Sequence, residues 1–351
     1  MSGIAGILRR DGGPVPEKWG NLLEQSLMQG GGIPFRFEDS IPVEHGDLHI
    51  CLLSGSGTGS DPIVDGDLGG ECSYALWNEE TLELELGRKG TGQNSLYWFD
   101  LAEAGDGLLF CTNPLPLLKI ARELELHSEN LSRGIQEYLH YGFVAEGSEL
   151  LSPVCSMPIQ NVSQTSTTMK STLHCDFSTT VADDVQTLVN ILGTPFADAD
   201  LLSTLQQYRY AKEIGCEVTD GLLVPEPKRV FERVLPTMTE DKQVVSQRNT
   251  ARRVELGAIA RYVGVDLIIS ENYEKLEPIS FPLASWLRSP QSKLGQLACD
   301  TLHSPDAFGN LPIDQKECAM ILDAHLDGEA DNSREVFPLL TLALWSGQVR
   351  A

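Results

Sequence analysis

The sequence predicts an α+β protein, in which a strand-rich first part is followed by a mainly helical second part. Short runs of strand character, bounded by Gly, Asp and Asn, dominate residues 1–120. From residue 183 onward, apolar residues recur at helical spacing. A chain of 351 residues is long enough for two domains that each have a hydrophobic core. We therefore expect two domains, 1–170 and 171–351, divided within a segment rich in Ser and Thr.

The first part combines strands with helices. Its strand signals are the runs GIAGIL, LHICLLS, CSYALWN, LELELGR and GLLFCTN. Apolar residues at helical spacing predict helices over 17–28 and 114–124, and Ser132 is the predicted N-cap of a further helix. Helices that flank a sheet make a layered domain.

The second part is predicted to be helical, with two short extended pieces, 217–219 and 265–270, as remnants of a sheet. Apolar periodicity defines its helices. They cover 183–192, 200–214, 247–263, 283–302, 314–326 and 333–346.

The charge balance excludes several classes of partner. The chain has 26 Lys and Arg against 50 Asp and Glu, a net charge of −24, which repels phosphate backbones and anionic lipid surfaces. The longest apolar run, Val336–Trp345, is too short to cross a bilayer, and the first ten residues do not resemble a secretory signal. The eight Cys form no CxxC pair. We expect a cytoplasmic protein without nucleic-acid binding, membrane insertion, metal or cofactor.

Several segments of the sequence resemble parts of a known protein family. The opening SGIAGIL, followed by Asp11 and Gly12, is similar to the start of the class II glutamine amidotransferase domain of asparagine synthetases. The blocks at 69–98, 107–118 and 131–144 resemble later parts of that domain. The blocks LGTPFADAD, SFPLASWLRSP and HLDGEADNSREVFPLLTLALW resemble the synthetase domain in the same order.

The resemblance implies an N-terminal Ntn-type layered αββα domain at 1–170. It also implies that 171–351 is a mostly helical remnant of an α/β ATP-pyrophosphatase domain. The pyrophosphate loop S-G-G-x-D-S of the family does not occur in this sequence. The resemblance therefore does not predict nucleotide binding. Asp198 and Asp200 match a family motif near the nucleotide pocket, and we expect them to cap a helix that begins near Leu201.

The glutaminase site of the family is also altered. Its nucleophile is an N-terminal Cys, and this chain has Ser2 in that place. Removal of Met1 would expose an amine with a pKa of about 8 that could serve as the base for Ser2. The family acid that holds the ammonium group of glutamine is replaced by Lys89, next to Arg88. We expect Ser2 to be a vestigial nucleophile, and Arg88 and Lys89 to mark a degenerate glutamine pocket.

These changes predict a catalytically inactive pseudoenzyme that acts as a structural or binding subunit of a larger assembly. Its partner would be another protein chain, with an active paralogue as a candidate. Two alternatives stay open. One is an N-terminal-serine amidohydrolase or divergent glutamine amidotransferase, in which Ser2 attacks an amide and Lys89 selects a carboxylate. The other is a divergent ATP-dependent amide-forming ligase.

Overall fold

A computed structural model describes most of the chain, which divides into two compact units. The first unit comprises Met1–His127, Leu151–Thr167 and Arg253–Asp266, and the second comprises Ser128–Leu150, Thr168–Arg252 and Leu267–Ala351. The predicted boundary between residues 170 and 171 lies outside the described residues. The structure describes residues 3–28, 35–43, 46–54, 63–66, 72–78, 80, 83–90, 93–101, 107–126, 131–157, 159–161, 180–214, 218–221, 242–265, 267–270, 282–289 and 291–351.

The first unit contains two sheets, and the chain as a whole is mixed helix and sheet, as the α+β prediction requires. In the larger sheet all neighbouring strands are antiparallel. Its order is β2 (Phe35–Val43), β3 (Gly46–Ser54), β1 (Ile4–Arg9), β8 (Gly107–Cys111), β7 (Tyr97–Asp100) and β9 (Cys155–Ser156). The smaller sheet has the order β10 (Ile159–Asn161), β6 (Glu83–Gly90), β5 (Cys72–Asn78) and β4 (Ile63–Gly66).

An apolar core joins the two sheets face to face. Ile4 and Leu8 of β1 share this core with Ala75 and Trp77 of β5. Because side chains alternate along a strand, Gly6 faces the same core. A Cβ at Gly6 would come within 2.5 Å of the ring of Phe110, so the glycine leaves the space that this ring occupies.

Two helices cover the other face of the larger sheet. They are α1 (Glu17–Met28), which contacts β1 and β3, and α2 (Pro114–Glu123), which contacts β7 and β8. Both helices were predicted from their apolar spacing, and both are confirmed. Among the described residues, α1 and α2, a six-stranded sheet and a four-stranded sheet form successive layers of the first unit.

The second unit is mainly helical, as predicted. The two extended pieces pair in parallel as β11 (Val218–Gly221) and β12 (Leu267–Ser270). Helix α6 (Lys242–Val263) contributes its residues 242–252 to this unit and the rest to the first. The other helices are α3 (Leu131–Tyr141), α4 (Val181–Leu192), α5 (Asp200–Ile214), α7 (Leu283–Arg288), α8 (Lys293–Leu302), α9 (Gln315–Leu326) and α10 (Ser333–Arg350).

Helix α10 is the centre of the second unit, and polar side chains fix its position. The hydroxyl of Thr341 donates to the carbonyl oxygen of Phe196 at 2.8 Å and lies 2.8 Å from the hydroxyl of Tyr138 on α3. The indole N–H of Trp345 donates to the carbonyl oxygen of Gly193 at 2.9 Å. These bonds satisfy buried carbonyl groups in the segment between α4 and α5.

Several helix boundaries differ from the predictions. Helix α6 begins at Lys242, five residues before its predicted start at 247, and α10 ends at Arg350, four residues after its predicted end at 346. The predicted helix 283–302 is two helices, because a proline follows Ser289 and disfavours helical geometry at the residue before it. Helix α8 then starts anew after Ser292, whose side chain accepts the N–H of Leu294. Helix α3 begins at Leu131, so Ser132 lies in its first turn and the N-cap prediction for Ser132 is wrong.

The last part of α6 packs on the segment before β7 within the first unit. A Cβ at Gly257 would lie 2.2 Å from the carbonyl oxygen of Gln93, so backbone meets backbone there. Arg261, one turn later, donates to the carbonyl oxygen of Gln93 at 3.1 Å and to Oδ1 of Asn94 at 2.7 Å. Through these contacts, the last part of α6 holds residues 93–95, which precede β7, in place.

The close approach at Gly257 predicts that Gly257→Ala destabilises the protein. Its methyl group has no space against a main-chain carbonyl, and overpacking of this kind costs about 1–3 kcal/mol. Gly347→Ala on α10 is the matched control, because nothing lies within 4 Å of a Cβ there. The control should gain about 0.5–1 kcal/mol from helix propensity. Urea unfolding measures both, and equal effects of the two changes would contradict the contact.

Candidate functional site

Polar side chains are buried in the first unit near the start of β1. Ser73 lies on β5 and Arg88 on β6, Asn94 and Ser95 precede β7, and Thr112 follows β8. We call these five residues the sandwich cluster. The N–H of Thr112 donates to the carbonyl oxygen of Ile4 at 2.9 Å, which ties the cluster to the first strand.

The side chain of Arg88 forms hydrogen bonds between the two stacked sheets of the first unit. Its side chain is 1% exposed. Nε donates to the carbonyl oxygen of Asn94 and Nη1 to that of Met157, both at 2.7 Å. The N–H of Met157 in turn donates to the carbonyl oxygen of Leu96 at 2.8 Å. The guanidinium therefore joins β6 to the segments before β7 and after β9.

The hydroxyl groups of the cluster also donate to main-chain carbonyls. Ser73 donates to the carbonyl oxygen of Ser95 at 3.1 Å, and the Ser95 hydroxyl donates to that of Thr112 at 2.7 Å. None of the five residues is a carboxylic acid or a histidine, so the cluster contains no base for a hydroxyl nucleophile. The hydrogen bonds of the cluster pair buried backbone carbonyl groups with side-chain donors.

Lys89 lies on the opposite face of β6 from Arg88. Its Nζ is 5.1 Å from the ring centre of Tyr74, which spans β6 above Gly87, where a Cβ would come within 2.4 Å of the ring. The Tyr74 hydroxyl donates to Oε1 of Glu85 at 3.0 Å. Burial and then the Glu85 carboxylate raise the pKa of Tyr74. The structure does not bring Arg88 and Lys89 together, because adjacent strand residues point to opposite faces.

Ser2 lies outside the described residues. Gly3, the first described residue, has a φ of +77°, in the left-handed region that favours glycine. A Cβ on Gly3 would lie 2.2 Å from Oγ1 of Thr112 and 3.1 Å from Cδ2 of Leu27. The start of the described chain is therefore packed against Thr112, one member of the sandwich cluster.

Asp198 connects α5 to α6 in the second unit. Its Oδ1 accepts the N–H of Asp200 at 2.9 Å, and its Oδ2 accepts Nη1 of Arg252 at 3.0 Å. Helix α5 begins at Asp200, so Asp198 accepts an N–H of the first turn from two residues before the helix. Asp200 is itself the first helical residue, and the prediction that it caps the helix is wrong. Arg248, one turn before Arg252, lies 5.8 Å from the ring centre of Phe143. We call Phe143, Asp198, Asp200, Arg248 and Arg252 the Asp198 junction.

Asp200 differs from an ordinary helix-start carboxylate. It is half-buried, and burial, followed by the negative charge of Asp198, raises its pKa to about 6, against the opposing effect of Arg252. Its carbonyl oxygen accepts the hydroxyls of Ser203 and Thr204. The junction thus places one ion pair and one carboxyl that binds its proton more tightly than usual at the start of α5.

The sequence did not predict two contacts made by arginines of α6, that of Arg252 with Asp198 and that of Arg261 with Asn94. Arg252 is 54 residues from Asp198, and Arg261 is 167 residues from Asn94. No local pattern connects such distant residues, so only the folded chain pairs them.

Groups of three or more His, Cys, Asp or Glu residues that could hold a metal ion are absent from the described part of the chain. Within that same part, no helix is both long and apolar enough to cross a membrane. No family model and no curated protein matches the sequence.

The geometry predicts a large loss of stability for Arg88→Met and a small one for Lys89→Met. Loss of the Arg88 guanidinium leaves the carbonyl groups of Asn94 and Met157 without this buried donor, at a cost of about 2–4 kcal/mol. Loss of the Lys89 ammonium removes a contact with the Tyr74 ring that is worth under about 1 kcal/mol. Urea unfolding compares the pair. Similar small losses for both variants would contradict an internal fastening role for Arg88.

Proposed function

We propose that this protein is a catalytically inactive, asparagine-synthetase-like pseudoenzyme that serves as a structural or binding subunit of a larger assembly. The observation that carries the proposal is the pair of hydrogen bonds that Arg88 donates to backbone carbonyl groups. The residue that marks the glutamine pocket in the resemblance donates to two backbone carbonyls inside the sandwich. A side chain committed in this way holds the fold together and is not presented to a substrate.

The position of Lys89 supports the same proposal. In the resemblance, this residue replaces the acid that grips the ammonium group of glutamine. Here its ammonium group lies over Tyr74, on the face of β6 opposite to the sandwich cluster. A pocket that needed both Arg88 and Lys89 would have to contact two faces of one strand.

The layers of the first unit support the Ntn-type part of the proposal. One helix layer and two stacked sheets, with β1 in the interior of the larger sheet, would form three of the four layers of an αββα domain. In the second unit, the parallel pair β11 and β12 would be the remnant of the α/β ATP-pyrophosphatase sheet.

The partner in this proposal is another protein chain, with an active paralogue as the first candidate, in the cytoplasm. Purification from the native host, followed by size-exclusion chromatography and mass spectrometry, tests this part. We expect the protein to elute with one partner at fixed stoichiometry. A free monomer at physiological concentration would contradict a role as a subunit.

The second candidate is an amidohydrolase that uses Ser2. The packing of Gly3 against Thr112 favours it, because the start of the described chain lies beside the hydroxyls of the sandwich cluster. Activity would require removal of Met1 and an amine that acts as base. N-terminal sequencing checks the first requirement directly.

Ammonia release from glutamine and from a panel of other amides separates the two candidates. We expect the wild type and Ser2→Ala to be equally inactive, because Arg88 is engaged with backbone carbonyls and Lys89 lies on the other face of β6, so that neither is placed to hold a substrate. A working asparagine synthetase serves as the positive control. Amide hydrolysis by the wild type that disappears in Ser2→Ala would replace the pseudoenzyme with the amidohydrolase.

A further inference from the structure

Strand β2 forms one edge of the six-stranded sheet. In the part of the chain that the structure describes, β2 pairs with β3 on one side and with no strand on the other. Its antiparallel register with β3 runs from Phe35 opposite Ser54 to Val43 opposite Gly46. The outer side of an edge strand carries main-chain N–H and C=O groups that can pair with a strand of another chain.

Ser40 and Pro42 show which main-chain groups of β2 point away from β3. The N–H of Ser40 donates to Oδ1 of Asp39 at 2.8 Å, and Pro42, which has no N–H, is placed as a proline on the outer side of an edge strand would be. Because these groups alternate in direction along a strand, the N–H groups of Arg36 and Glu38 also point outward. The donors for a further strand therefore lie at the Arg36–Glu38 end of β2.

The side chains at this end carry opposite charges on one face of the strand. Nε of Arg36 donates to Oε1 of Glu38 at 2.8 Å, and Nη1 of Arg36 lies 3.4 Å from Oε2 of Glu24 on α1. The side chains of Arg36 and Glu38 are 30% and 51% exposed, so both also reach solvent. Phe37 lies on the other face, where it packs against the core between the two sheets.

We infer that β2 pairs antiparallel with β2 of a second copy of this chain, about a twofold axis at Phe37, so that the two six-stranded sheets join into one. In this register Arg36 of each copy lies opposite Glu38 of the other, and the two residues exchange main-chain hydrogen bonds. The two Phe37 rings lie opposite each other on the other face, and such aromatic pairs stabilise paired strands. The inference concerns this chain alone and does not depend on the proposed function.

The charges select this register over its neighbours. A twofold axis at Arg36 would place the two Arg36 side chains opposite each other, and an axis at Glu38 would do the same with two carboxylates. Like charges directly opposite each other destabilise a pair of strands. Of these three registers, the one about Phe37 brings opposite charges together.

Two charge reversals test the pairing by sedimentation equilibrium of the purified full chain. At about 0.15 M salt, screening limits the mutual repulsion of two chains that each carry a net charge of −24. We expect the wild type to be dimeric. Arg36→Glu and Glu38→Arg should each weaken dimerisation about tenfold or more, because each places like charges opposite each other twice in the pairing.

A mixture of the two variants in equal amounts should restore dimers that contain one copy of each. The edge of one copy is then negative at both positions, and the edge of the other is positive at both. The mixture separates pairing between copies from the ion pair within one strand, because neither variant regains its own Arg36–Glu38 bond on mixing. Native mass spectrometry identifies the mixed dimer.

Arg133→Glu on α3 is the matched control, because it reverses one charge of another ion pair within a single element, that of Arg133 with Glu137. It should dimerise like the wild type. A monomeric wild type, single variants that dimerise as strongly as the wild type, or a mixture no more dimeric than its components would each overturn the inference. A partner protein found on purification from the native host would still support the proposed function in that case, so the two can fail separately.

Discussion

The pairing of buried main-chain carbonyl groups is the constraint on which the first unit depends. The segment before β7 passes through the interior of a two-sheet sandwich, where a carbonyl without a donor would cost about 1–3 kcal/mol. Arg88, Ser73 and Arg261 supply donors to this segment from β6, β5 and α6. The apolar core defines the layers, but these polar bonds determine where the connection between them runs.

In the second unit, side chains of α10 likewise donate hydrogen bonds to buried main-chain carbonyl groups. Thr341 and Trp345 donate to carbonyl groups of the segment between α4 and α5, and so fix a helix that is buried along most of its length. The same segment contains Asp198, which forms an ion pair with Arg252.

The family resemblance and the structure contribute different parts of the functional argument. The resemblance identifies which positions would carry chemistry, and the structure describes what the side chains at those positions contact. Arg88 contacts backbone, and Lys89 contacts an aromatic ring on the other face of the strand. In the proposed pseudoenzyme, the residues that match the family's site serve internal packing, so its function would lie in the surfaces that it offers to other chains.

The mixed class, the helices with strong apolar spacing and the bond between Asp198 and the start of α5 could be predicted from the amino-acid sequence, because each depends on residues within a few positions of one another. It failed where a proline divided an apparently continuous helix after Ser289. Folding alone pairs Arg252 with Asp198 and Arg261 with Asn94, and it alone assigns residues 253–266 to the first unit. Contacts between residues far apart in the chain depend on how whole elements pack, which local periodicity does not encode.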